Sequence, residues 1–82
     1  MTTQRTETAT LDCTGLLCPV PVYKTALALK ELNNGDTLKL ITTDPGSLAD
    51  IPAMARQTGH TLVATEESGD TQTFWITKVG AA

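Results

Sequence analysis

Two cysteines, Cys13 and Cys18, hold the reactive potential of this 82-residue sequence. Cys18 is followed by Pro19, Val20 and Pro21. A proline costs nothing at the first position of a helix, because the first N–H groups of a helix have no internal partner. The run therefore predicts a helix opening at Pro19, with Cys18 as its N-cap. There the unpaired N–H groups and the positive end of the helix dipole favour an anion. A thiolate in that field has a pKa below the free value of about 8.5, and the thiolate is the nucleophilic form. The prolines donate nothing themselves; they stiffen the approach to the helix and hold the sulfur at the surface. Free cysteine is often a plain buried core residue. As a cap, however, a thiol is inferior to a hydroxyl or a carboxylate, so stability alone gives no reason for cysteine at this position. A thiol activated by a helix end needs no neighbouring histidine or carboxylate as base.

Other polar residues have two readings each. Cys13, five positions upstream, is either a second, resolving thiol able to form a disulfide with Cys18, or a small residue at a strand end. Asp12 either hydrogen-bonds the turn leading to Cys18 or is a solvated turn carboxylate. Asp44 opens a Pro-Gly turn, and Asp50 is a candidate cap for a second helix. Two cysteines and one histidine, His60, match no zinc spacing, so neither a metal nor a cofactor is expected.

Ala9 to Asp12 reads as a first strand, and Thr14-Gly15 as a turn. Val22, Ala26, Leu29 and Leu32 recur at helical spacing, which extends the first helix from Pro19 to Asn33, closed by Gly35. Lys24 and Lys30 fall off this stripe and suit a solvated face. Thr37 to Thr42 alternates as a strand. Ser47 or Asp50 caps a second helix running to Thr58, with Pro52 distorting its start if Ser47 is the cap; Gly59 closes it. Thr61 to Thr65 and Thr71 to Lys78 are strands joined by a loop over Glu66 to Asp70. The latter strand turns Phe74 and Ile76 to one face and Trp75 to the other, where Trp75 either marks a protein contact or covers an open sheet. The order β-α-β-α-β-β predicts an α/β (α+β) two-layer sandwich, with two helices on one face of a four-stranded mixed sheet. Residues 1–9 read as a flexible tail, 10–79 as a single domain, and 80–82 as a loose end.

Composition excludes several classes. Six basic and nine acidic residues leave a net charge of −3, and the basic residues form no stripe, so direct nucleic-acid binding is not expected. Three aromatic residues are too few for a base-stacking platform. The longest apolar run, Leu16 to Val22, is broken by prolines and is far short of the roughly 20 residues of a membrane span. The polar N-terminus carries no secretory signal, which makes the cytoplasm the expected compartment.

The pattern Leu11-Asp12-x-x-Gly15-Leu16-x-Cys18-Pro19-x-Pro21-Val22 resembles the signature of the TusA/SirA-like sulfur carrier family. The resemblance continues in register through Gly35-Asp36-x-Leu38, Asp44-Pro45, Asp50-Ile51-Pro52 and Gly59-His60, covering Leu11 to Lys78. It implies the same β-α-β-α-β-β sandwich, with Cys18 as a persulfide carrier and Gly15, Pro19 and Pro21 as its motif support. It also implies partners: a cysteine desulfurase or rhodanese-type donor, and a downstream acceptor in tRNA thiolation, molybdenum cofactor maturation or sulfur oxidation. Asp44 and Asp50 match family positions near the sulfur site. Two departures stand out. The family pattern does not require Cys13, and Ala49 stands where many members carry a basic residue before Asp-Ile-Pro. The competing function is a thiol redox module that cycles Cys13 and Cys18 between dithiol and disulfide.

Overall fold

A computed structural model describes residues 7–17 and 19–79; Cys18 lies outside the described residues. The elements are β1 (Ala9–Cys13), α1 (Val20–Lys30), β2 (Thr37–Thr42), α2 (Ser47–Thr58), β3 (Thr61–Ser68) and β4 (Thr71–Thr77). They build one four-stranded mixed sheet in the order β1-β2-β4-β3. The β1 and β2 strands are parallel, while β4 runs antiparallel to both β2 and β3.

Strand alternation sorts the side chains. In β2, Leu38 and Leu40 are buried, and opposite them stand Ile76 and Phe74 of β4. Leu29 of α1 and Ile51 and Met54 of α2 close over these residues, so both helices share one core with the sheet. Lys39 and Trp75, neighbours in register, belong to the other face. Trp75 is only 7% exposed, and the Lys39 ammonium lies 5.8 Å from its ring centroid. Of the two roles open to Trp75, the structure shows the cover. A cation over an indole attracts the ring quadrupole while the lysine stem shields its hydrocarbon from water.

Several boundaries differ from the sequence reading. The Thr8 N–H donates to the Thr37 carbonyl at 2.7 Å, and β1 begins at Ala9, so strand pairing reaches into the stretch read as tail. The α1 helix ends at Lys30, not Asn33. Gly35, at φ 90°, instead serves a turn in which the Asp36 N–H donates to the Asn33 carbonyl. The third strand runs to Ser68, because a two-residue turn suffices. Ser68 pairs with Thr71, and Gly69 takes φ 58° at the first turn position, as a type II′ hairpin requires. Glu66 and Glu67 fit in this strand because it is an exposed edge, where charge discourages pairing with another chain.

The buried stripe of α1 is also rotated from the expected one. Pro21, Thr25 and Leu29 point inward, while Tyr23 and Leu27 face outward, 64% and 62% exposed. A buried threonine is tolerable here because its hydroxyl donates to the Pro21 carbonyl at 2.7 Å.

Candidate functional site

The site is built on the segment that leaves β1 and enters α1. Its first residues are held by local bonds. The Thr14 N–H donates to Asp12 Oδ1 at 2.9 Å, and the Leu16 N–H donates to the Cys13 carbonyl at 3.1 Å. The first of these holds the Asp12 carboxyl below the usual carboxylate range. Gly15 has φ 80°, a conformation that a side chain would strain, and its N–H donates across to Thr43 Oγ1 at 2.8 Å.

Beyond position 18 the chain turns again. The Val20 N–H donates to the Leu17 carbonyl at 2.9 Å, and the first helical bond runs from the Tyr23 N–H to the Pro19 carbonyl at 3.1 Å. The N-cap is therefore Pro19, and the proline inside the first turn is Pro21. This moves the helix start one residue beyond the expectation that Cys18 caps it. The Val20 N–H is engaged by the turn, so the helix takes off only after Pro19. Proline has no hydroxyl or carboxylate, and this N-cap makes no side-chain cap hydrogen bond.

Around this start the surface is apolar. Leu17 is 72% exposed, and Val20, Tyr23 and Leu27 continue the exposed apolar surface along α1. Beside them an open groove of about 390 Å³ runs between the helices, lined by Pro19, Val22 and Tyr23 on one side and Asp50, Ala53, Met54 and Gln57 on the other. Asp50 thus shares a groove with the motif proline.

The start of α2 corrects a second expectation. Neither Ser47 nor Asp50 is the cap; the N-cap is Gly46, with Asp50 in the first turn. Asp44 Oδ1 accepts from the Gly46 N–H at 3.1 Å, and the Asp44 carbonyl accepts from the Ser47 N–H at 2.9 Å. Asp44 thus organises the turn from two positions upstream, which frees Ser47 to be buried. Pro52 therefore lies inside α2, in its second turn, and not in the tolerant first turn that a cap at Asp50 would have given it.

Cys13 ends β1 with no exposed surface, among the core residues. Burial is the main cause that pushes its thiol pKa up, only partly countered by Lys24. It is a neutral, enclosed thiol. His60 accepts the Val79 N–H through Nδ1 at 3.2 Å, which gives it a structural task at the sheet's end. Lys24 and Lys30 are both exposed on α1. The sequence reading did not single out Thr43, the outward apolar row of α1, or the groove. The apolar row was legible as Val20, Tyr23 and Leu27 at spacings of three and four.

Among the described residues no helix is long and apolar enough to cross a membrane. The arrangement defines a small α+β domain whose conspicuous feature is an open, apolar surface around Pro19 and Val20. The family model described as Sulfurtransferase TusA matches residues 9–78, and the chain belongs to this family. It is 44% identical over 70 residues to the sulfur carrier protein TusA of Pseudomonas entomophila, covering 85% of this chain and 88% of that one. A TusA from Allochromatium vinosum is 41% identical, covering 83% of this chain and 90% of that one. A putative sulfur carrier protein of Bacillus subtilis, YrkF, is also 41% identical, but this chain, covered to 89%, spans only 40% of YrkF's length. The crystal structure of a SirA-like protein from Desulfitobacterium hafniense superposes with a TM-score of 0.76 at 25% identity, covering 88% of this chain and 99% of that one. The sandwich and the family resemblance expected from sequence are both borne out.

Proposed function

We propose that this TusA-family chain carries sulfane sulfur as a persulfide on Cys18. The observation that carries the reading is a contrast between its two thiols. Cys18 stands in the Cys-Pro-x-Pro run inside the family-matched stretch, whereas Cys13 is shut in the core. In the loading step, the Cys18 thiolate attacks the outer sulfur of a donor cysteine persulfide. The donor's S–S bond breaks, its inner sulfur leaves as a thiolate, and the outer sulfur with its proton becomes Cys18–S–SH. In the second step, an acceptor nucleophile attacks that outer sulfur and Cys18 leaves as a thiolate.

Such a relay works through partner proteins, and the exposed Leu17, Val20, Tyr23 and Leu27 supply apolar surface on which they can dock beside the thiol. The donor we assign is a cysteine desulfurase or a rhodanese-type sulfurtransferase. The acceptor serves tRNA thiolation, molybdenum cofactor maturation or sulfur oxidation. A reducing compartment such as the cytoplasm keeps the carrier thiol free. A dithiol–disulfide cycle has no support, because it would need Cys13 to ionise and emerge from the core.

Loading tests the reading. The protein is incubated with a cysteine desulfurase and cysteine, separated from both, and treated with reductant. Wild type is expected to release about one sulfide per chain and Cys18→Ser none, as a single thiolate acceptor requires. Equal release from both would refute the assignment.

A further inference from the structure

The loop that leads into Cys18 is shaped mostly from within. Thr14 and Leu16 bond to Asp12 and Cys13, their immediate neighbours, and Val20 bonds to Leu17. Such bonds fix the form of the loop, and the partly buried Leu16 packs it against the core. The bond from the Gly15 N–H to Thr43 Oγ1 differs in kind. At 2.8 Å it joins residues 28 positions apart, and it lands on the first residue after β2. Asp44, the next residue, folds the chain into α2, the helix that faces Pro19 across the groove. One hydroxyl therefore links the loop carrying the thiol to the turn that sets the opposite wall.

The bond also needs this backbone. Gly15 adopts φ 80° with nothing within 4 Å of where a side chain would project. Gly15 has no side chain to pack, and the bond to Thr43 is its described polar attachment to the far side of the groove. We propose that Thr43 is a positioning residue for sulfur transfer: its hydroxyl holds the Gly15 N–H and so fixes the loop from which Cys18 meets its partners. The inference rests on the carrier reading of Cys18 given above.

The test compares Thr43→Val, which keeps the shape but loses the acceptor oxygen, with Thr43→Ser, which keeps the oxygen. Sulfur loading from a cysteine desulfurase is followed as a function of desulfurase concentration, well below the thermal midpoint of each variant. Losing one neutral hydrogen bond predicts about a fivefold slower rate at saturating donor for the valine variant, with half-saturation unchanged. The serine variant is expected within about twofold of wild type. Backbone amide exchange provides a second readout: the Gly15 amide should exchange faster in the valine variant, while the β2 amides keep their protection. A valine variant that loads at the wild-type rate overturns the proposal, as does a serine variant as slow as valine. If wild type itself does not load, the carrier reading fails, an outcome distinct from either of these.

Discussion

The two ends of α1 are built on opposite terms. Its C-terminal end is secured by a residue from the far end of the chain. Lys78 Nζ donates to the Leu32 carbonyl at 2.7 Å and to the Lys30 carbonyl at 3.2 Å. A cation belongs there, since the last carbonyls of a helix are unpaired and carry its negative pole. The same strand end reaches the connecting turn, where the Gly35 N–H donates to the Lys78 carbonyl at 2.8 Å and the Lys78 N–H to the Asp36 carbonyl at 2.8 Å. Among the described residues the N-terminal end has no comparable lock. Its N-cap is a proline without a cap bond, and the surface beside it is exposed leucine, valine and tyrosine. One end is fastened by a cation, and the other leaves its positive pole and an apolar surface open beside Pro19.

This contrast can be broken at either end. The largest effect belongs to Cys18→Ser, which should abolish sulfur loading while leaving the thermal midpoint in place. Next are Leu17→Asp and Tyr23→Asp. A buried carboxylate at a docking surface costs binding, so each should raise the donor concentration for half-maximal loading by about tenfold, equivalent to about 1.4 kcal/mol. Circular dichroism should show no loss of fold, because both side chains are exposed.

At the other end, Lys78→Met keeps the apolar stem and removes the cap. It should lower stability by about 1 kcal/mol, seen as a fall in Tm of several degrees, with loading kinetics unchanged. A loss of loading in this variant would mean the two ends are not independent. The smallest effect is a change in pH dependence. Burial raises the folded-state pKa of Cys13 above its unfolded value. That term is fully present below the ordinary thiol pKa and is lost as pH rises through the folded value. Wild type should therefore lose stability relative to Cys13→Ala above pH of about 8.5, the free thiol pKa, and denaturant unfolding at graded pH would show it. Cys13→Ala should load sulfur normally throughout.

The parts of the fold legible in sequence were those governed by alternation. The β2 bounds Thr37–Thr42 follow from Leu38 and Leu40 against Lys39, and the hairpin follows from Gly69-Asp70. The α1 stripe was misplaced by one residue because hydropathy ranks Val22 and Ala26 above Thr25, whereas the helix buries the threonine and satisfies its hydroxyl internally. The exposed Tyr23 and Leu27 form part of the proposed docking surface. The caps failed for a related reason. Ser47 and Asp50 have the residue types of caps, but the Asp44 side chain had already ordered the turn. Thr43 could not be found from sequence, since nothing in the chain marks a partner 28 residues away.

On the proposed function, sulfur rests on Cys18 and not on Cys13. Intact mass measured without reductant, after incubation with a cysteine desulfurase and cysteine, tests it most directly. Wild type and Cys13→Ala should each gain the mass of one sulfur atom, and Cys18→Ser should gain nothing. A gain that survives Cys18→Ser, or a loss of two hydrogens that requires both cysteines, would contradict it.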